Sequence, residues 1–329
     1  MGKVLCFGEM LLRFSPSSES VSNNNMPFFI GGAELNVAAA LATWGSDVEY
    51  CTVLPNNFLS NSILKFLHSK NIGTHTIHFQ GDRLGLYYLA QGQDMKNESV
   101  VFDRIGSSFS KIQIGDIDWD IALKGVSRVH ISAIAASLTQ NAADMCKALL
   151  IKAKSLHIPV SIDLNYRAQL WKYGKLPTQV IPDLIPYCDI VMGNIWAVEK
   201  MLGIPCSIAS SVGKSNSELM VAALKSIEAL QSSYTNVLKV AFTFRLENAY
   251  YAILHEDHKT YESKVHSIND VIDKVGSGDC FMAGLLYGTM QNWESIEVVN
   301  YAAAAAVGKL YENGDITHQT VHQIKIKYS

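Results

Sequence analysis

The sequence predicts an α/β protein with a doubly wound, mostly parallel sheet and helices on both of its faces, and three observations predict it. Short apolar runs alternate with helix-period segments over most of the 329 residues. Glycines and polar clusters gather where the strand-like runs end, the place where open parallel sheets bind their ligands. No internal repeat appears, and no linker is long enough to enforce two separate domains, so residues 1–329 read as one domain.

Lys3 to Gly8 opens as a short buried strand closed by glycine, with Glu9 directly after it. The Ser- and Asn-rich stretch from Ser15 to Asn25 reads as a loop or the edge of a small sheet. Gly31-Gly32 then enters an alanine-rich helix that ends near Gly45. The glycine pair lets either a ligand or a packed sheet approach the backbone, and Asn36 sits about one turn into the helix, able to donate and accept. Val48 to Val53 reads as a strand and Phe58 to Leu67 as an amphipathic helix.

Leu84 to Ala90 and Ser99 to Arg104 break the rhythm. They read as two strands joined by the polar stretch Gln91 to Glu98, a hairpin that either covers a site or packs against another subunit. The alternation resumes with the strand Val126 to Ser132, the helix Ala142 to Leu156 and the strand Pro159 to Leu164, which runs into the polar cluster around Arg167. The strand Asp189 to Met192 ends at Gly193-Asn194, and the helix Trp196 to Leu202 is stopped by Gly203 and Pro205. The helix Glu218 to Leu230, the strands Val237 to Phe244 and Ala249 to Leu254, and the alanine-rich helix Ile296 to Leu310 complete the pattern.

Hydrophobic residues make up 48% and charged residues 17%, with a formal net charge of −3, and the lysines and arginines are scattered. No basic stripe offers itself to nucleic acid, and Ala302 to Val307 is too short to span a bilayer. Cys6, Cys51, Cys146, Cys188, Cys206 and Cys280 form no CxxC pair, several lie in apolar runs, and no secretory leader precedes the first strand. They are expected as reduced, packed thiols of a cytoplasmic protein. His318 and His322 are expected on one helix face and His255 lies close to His258, yet neither pair has an evident third metal ligand, so these read as solvated surface histidines.

The most informative stretch is Asp273-Lys274-Val275-Gly276-Ser277-Gly278-Asp279-Cys280-Phe281-Met282-Ala283-Gly284, a glycine loop that feeds a helix. Such a helix start offers unpaired N–H groups and a positive dipole, which suit a phosphate or the charge developing on a moving phosphoryl group. Asp279 is then either a general base beside that anion site or a first-turn acid that favours the helix, and the residues alone leave both open. A dinucleotide fold is disfavoured, because Phe281 stands where the third glycine of a G-x-G-x-x-G fingerprint belongs and no such fingerprint follows the first strand.

Five segments occur in order along nearly the whole chain: Gly8-Glu9, Gly31-Gly32-Ala33-Glu34-Leu35-Asn36, Asp82-Arg83-Leu84-Gly85-Leu86-Tyr87, Asp163-Leu164-Asn165-Tyr166-Arg167 and the glycine loop. In these the chain resembles the ribokinase-like sugar kinases, and among them the 2-keto-3-deoxygluconate kinases. The resemblance implies the doubly wound fold with a small β lid, here about residues 10–31 and 84–105, which often clasps a second subunit into a homodimer. It makes Gly276, Ser277 and Gly278 the anion hole and Asp279 the catalytic base. It assigns Gly32 and Asn36 to the sugar, Tyr87, Phe102 and Arg104 to the lid side of the pocket, and Arg167 to the sugar acid or the phosphates. Asn194, Thr243 and Arg245 fall near the nucleotide. Asp315 matches a late Gly-Asp facing the substrate, although the residues alone equally allow a turn.

The implied reaction is transfer of the ATP γ-phosphoryl group, with Mg²⁺, to a hydroxyl of 2-keto-3-deoxygluconate, giving its 6-phosphate. Fructose, ribose or another keto sugar are the alternative acceptors, and a need for a monovalent cation stays open. Two arginines converging on one pocket favour a sugar acid, since a guanidinium holds a carboxylate bidentately. One departure stands out: the acids usual just after Asn194 are replaced by Ile195, Trp196 and Ala197, which leaves Glu199 as the nearest substitute and the metal ligands unknown. That loss motivates a second reading, a non-catalytic sugar or nucleotide sensor on the same fold.

Overall fold

A computed structural model describes residues 2–17, 19–20, 22–90 and 100–328. The expected hairpin connection, Gln91 to Glu98, and Ser99 lie outside the described residues. The first strand, β1 (Lys3–Phe7), sends Leu5 and Phe7 into one apolar layer and Val4 and Cys6 into another, the alternation of a strand covered on both faces. Strands β2 (Leu11–Phe14) and β3 (Phe28–Gly31) leave this sheet, and α1 (Ala33–Thr43) returns to it.

The chain continues through β4 (Val48–Cys51), β5 (Val53–Leu54), α2 (Phe58–Ser69), β6 (Ile72–Gly73), β7 (His78–Phe79), β8 (Gly85–Tyr88) and β9 (Val101–Asp103). The one strand expected from 48 to 53 is two, because β5 departs to pair with β7 in a separate ladder. After the single turn α3 (Trp119–Ala122) come β10 (Val126–Ser132), the turn α4 (Ala133–Ala136), α5 (Gln140–Ser155), β11 (Val160–Asp163), β12 (Ile190–Gly193), α6 (Ile195–Leu202) and α7 (Asn216–Ser233). The last part holds β13 (Lys239–Arg245), β14 (Ala249–Glu256), β15 (Lys259–Glu262), β16 (His266–Ser267), α8 (Ser277–Met290), α9 (Ser295–Lys309) and α10 (Val321–Ile326).

The main sheet has the order β15-β14-β13-β12-β11-β10-β1-β4-β6, with β16 paired to β14. From β6 to β13 every pairing is parallel, and the β13–β14 and β14–β15 pairings are antiparallel. Chain direction along the sheet reverses at β1, whose neighbours are β10 and β4, so a doubly wound switch point lies there. A second sheet has the order β3-β2-β8-β9, with β2 parallel to β8 and antiparallel to β3.

Two apolar layers flank the main sheet. One holds α5, α6 and α7 over Val129, Ile162, Val191 and Phe242, and the other holds α1, α8 and α9 over Val4, Ile190, Met192 and Ala241. Helices α8 and α9 meet closely because a glycine faces an alanine run. A Cβ added at Gly284 would lie 2.7 Å from the Ala302 Cα, and Ala302 to Ala306 are fully buried. Among the described residues no helix is long and apolar enough to cross a membrane.

Candidate active site

A cleft opens at the carboxyl ends of β1, β11 and β12, roofed by the second sheet and floored by the start of α8. Gly276 caps α8 with φ 79°, a left-handed conformation, and a side chain there would collide with the Asp315 carbonyl. The first-turn N–H groups of α8 have no intrahelical acceptor and line the cleft, so they form an anion-binding floor. The Ser277 hydroxyl takes no part in this floor, since it donates to the Ala306 carbonyl of α9 at 3.0 Å.

Asp279, third in the helix, lines the cleft and is 9% exposed. Asn36 Nδ2 donates to its Oδ2 at 2.7 Å. That contact requires the α1 start to come close to the end of β1, and Gly32 permits it: its φ is 146°, and a Cβ there would strike the Glu9 carbonyl. Burial pushes the Asp279 carboxyl up to about 6, against the Asn36 hydrogen bond and the charge of Arg167. Asp163, at the end of β11, is pushed up to about 7 by burial and by the charge of Asp279. A carboxyl poised near neutrality, in a cleft, beside a helix start that holds anions, can accept a proton from a hydroxyl while the helix start holds a phosphoryl group.

A buried ion network joins the second sheet to this floor. Arg13, on β2 and 2% exposed, is bonded through Nε to Asp315 Oδ1 at 2.7 Å and through Nη2 to Asp273 Oδ2 at 2.5 Å. The Tyr87 hydroxyl of β8 donates to Asp315 Oδ2 at 2.9 Å, and the Arg13 guanidinium lies 4.5 Å from the centre of the Phe29 ring. Asp273 also accepts from the N–H of Val275 at 3.0 Å and of Gly314 at 3.2 Å, which anchors the segment that leads into Gly276. Burial acts to lower the Arg13 pKa, and Asp315, Tyr87 and Asp273 together outweigh it, so the guanidinium is held more firmly charged than usual.

Every site residue expected from the sequence lines this cleft: Gly32, Asn36, Tyr87, Phe102, Arg104, Arg167, Asn194, Thr243, Arg245, Gly276, Ser277, Gly278, Asp279 and Asp315. Their surroundings refine the expectations. Arg104 Nε is paired with Glu9 Oε2 at 2.5 Å, and Glu9 also accepts from the Ser107 hydroxyl, so the Arg104 charge is already countered by the protein. The argument from two converging arginines therefore weakens, and Arg167, whose Nη1 donates to the Tyr166 carbonyl at 2.9 Å, also acts electrostatically on Asp163 and Asp279. Asp315 lies in a bend and is buried, with its carboxylate held by Arg13 and Tyr87. Asn194 caps α6, accepting from the Ala197 N–H at 2.8 Å, while Glu199 does not line the cleft and lies 3.9 Å from Lys200. His318 precedes α10, so it shares no helix face with His322.

Sequence reasoning assigned no role to Glu9, Asp163 or Lys274, all of which line the cleft, or to Arg13 and Asp273 behind it. A lone arginine in the apolar run Leu11-Leu12-Arg13-Phe14 was the available signal, because a charge in a buried strand must be paired. Among the described residues no group of three or more His, Cys, Asp or Glu is arranged to hold a metal. The helix-start N–H groups, Lys274, Arg167 and Arg245 around the cleft fit the phosphates of a nucleotide. A divalent ion held mainly by those phosphates and by water needs no such protein cage.

A model of the pfkB family carbohydrate kinases matches residues 1–320. The structure is similar to that of 2-dehydro-3-deoxygluconokinase from Thermotoga maritima, with 30% identity, a TM-score of 0.89 and coverage of 99% of both chains. It is also similar to a PfkB family carbohydrate kinase from Listeria grayi, with 28% identity, a TM-score of 0.85 and coverage of 98% of both. In sequence it is 23% identical over 329 aligned residues to the 2-dehydro-3-deoxygalactonokinase of Haloferax volcanii, covering 98% of this chain and 95% of that one.

Replacing Arg13 removes the cation from two buried carboxylates. Arg13→Met is expected to lower the free energy of unfolding by about 3–5 kcal/mol in a denaturant titration. Unchanged stability would show that the ion network contributes little to the fold.

Proposed function

The chain belongs to the pfkB family of carbohydrate kinases, and from that premise we propose that it phosphorylates a keto sugar acid, 2-keto-3-deoxygluconate, at its primary hydroxyl, giving the 6-phosphate. The observation that carries the reading is Asp279, a buried carboxyl raised to about 6, held by Asn36 at the mouth of a helix start. Lys274, Arg245 and the N–H groups at the start of α8 would hold the phosphates of ATP, and an accompanying Mg²⁺ would supply charge neutralisation for the moving phosphoryl group. Asp279 takes the proton of the attacking hydroxyl. The N–H groups of the 276–278 loop hold the equatorial oxygens of the moving group, where charge develops.

Asn36 orients Asp279, and Gly32 brings Asn36 within reach. Arg167 holds the substrate carboxylate, while Tyr87, Phe102 and Arg104 close the pocket from the lid and Asp315 fixes its corner. Asn194, Thr243 and Arg245 border the nucleotide, brought together because β12 and β13 are neighbours. The second sheet acts as the lid and as a contact surface for a second copy. Phe28, Val101 and Ile105 on or beside its strands are 52%, 59% and 85% exposed, which is costly for a surface facing only water. All six cysteines are free, which fits a reducing compartment such as the cytoplasm.

An ADP-release assay on a sugar panel should give turnover with 2-keto-3-deoxygluconate and at least about tenfold poorer kcat/KM with neutral sugars. Equal rates with fructose would remove the carboxylate argument. Asp279→Asn should lose about 10²–10⁴-fold in kcat while nucleotide binding survives, and near-parental turnover would take Asp279 out of the mechanism. Because the base must be ionised, kcat/KM should fall as pH drops through about 6 and stay level just above it. Light scattering should find a dimer, and a monomer at assay concentration would confine the lid to its own site.

A further inference from the structure

Lys309 ends α9 and has no exposed surface. A buried ammonium costs several kcal/mol unless the protein compensates it. Compensation here comes from several directions. Its Nζ donates to the Glu312 carbonyl at 3.2 Å, it sits at the negative end of the α9 dipole, and Asp273, Glu312 and Asp315 offset part of the effect of burial, which still leaves its pKa below the usual lysine value. Its stem runs under the glycine loop, with Cε 3.3 Å from the point where a Gly276 side chain would begin. Three carboxylates, Asp273, Asp315 and Asp279, crowd this region, and Arg13 bonds only the first two. Lys309 adds a buried positive charge behind the loop and, after Arg167, favours the ionised form of Asp279.

We propose that Lys309 is a positioning residue for phosphoryl transfer: its ammonium is a built-in cation fixed behind the 276–278 loop, and it makes the reaction independent of any monovalent metal ion. The inference rests on the kinase reading above. A charge tethered to α9 keeps the loop and the ionised base in register without drawing an ion from solution. Because the Lys309 stem fills the space where a Gly276 side chain would stand, losing the ammonium disturbs the loop geometry before it disturbs the sugar pocket.

The test uses the full chain with ATP, Mg²⁺ and the sugar acid, assayed in potassium, sodium and tetramethylammonium chloride at equal ionic strength. The parent protein is expected to keep kcat within about twofold across the three salts. A rise of about tenfold or more in potassium over tetramethylammonium would overturn the proposal. Lys309→Met, which keeps the stem and removes the charge, is expected to lower kcat at least about tenfold while the sugar KM moves less than about threefold. A folded variant with parental kcat would also overturn it. If that variant does not fold, the salt series on the parent still decides. Absence of turnover in every salt would instead remove the kinase reading, and this inference with it.

Discussion

The buried guanidinium of Arg13 is the constraint on which the site depends. It comes from the second sheet, yet its partners, Asp273 and Asp315, belong to the segments on either side of helices α8 and α9. Through Asp273 it fixes the N–H groups of Val275 and Gly314, and through Asp315 it fixes the Tyr87 hydroxyl. Gly276 is thus held at the angle that aims the start of α8 into the cleft. Breaking such a network would leave two desolvated carboxylates without their cation, so roof and floor separate only at a high cost.

A second ion pair, Glu9 with Arg104, ties the roof to the end of β1. The two pairs differ in consequence. Arg13 lies behind the site and shapes it, whereas Arg104 lies in its wall and has part of its charge spent before a ligand arrives. Counting arginines around a pocket therefore overstates how strongly it attracts carboxylates. The useful quantity is the charge left after the protein has paired its own groups.

Much of the fold was legible in the sequence, because strands covered on two faces write continuous apolar runs. The strand from Val126 to Ser132 has the same bounds in sequence and structure, and α1, α6 and α9 differ from expectation by about a residue or two. The pairs β5–β7 and β14–β16 were not legible, since two-residue strands have no period to detect, and the single turn α4 was hidden by its continuity with β10. In the site, glycines and polar clusters marked what faces the cleft. Arg13, Asp273 and Lys309 escaped because their roles come from contacts across the fold, with Arg13 and Asp315 separated by 302 positions. Local pattern carries no record of such a partner. Pairing, unlike periodicity, is written only in three dimensions.

The hydrogen bond from Ser277 to the Ala306 carbonyl has a consequence for chemical fidelity. A serine hydroxyl in a loop that cradles a reactive phosphoryl group is a rival acceptor, and it is tethered there at high effective concentration. Here the hydroxyl is committed as a donor to the backbone of the neighbouring helix and buried at 2% exposure, turned from the open floor where the phosphoryl group would rest. The loop can carry a hydroxyl without becoming its own substrate.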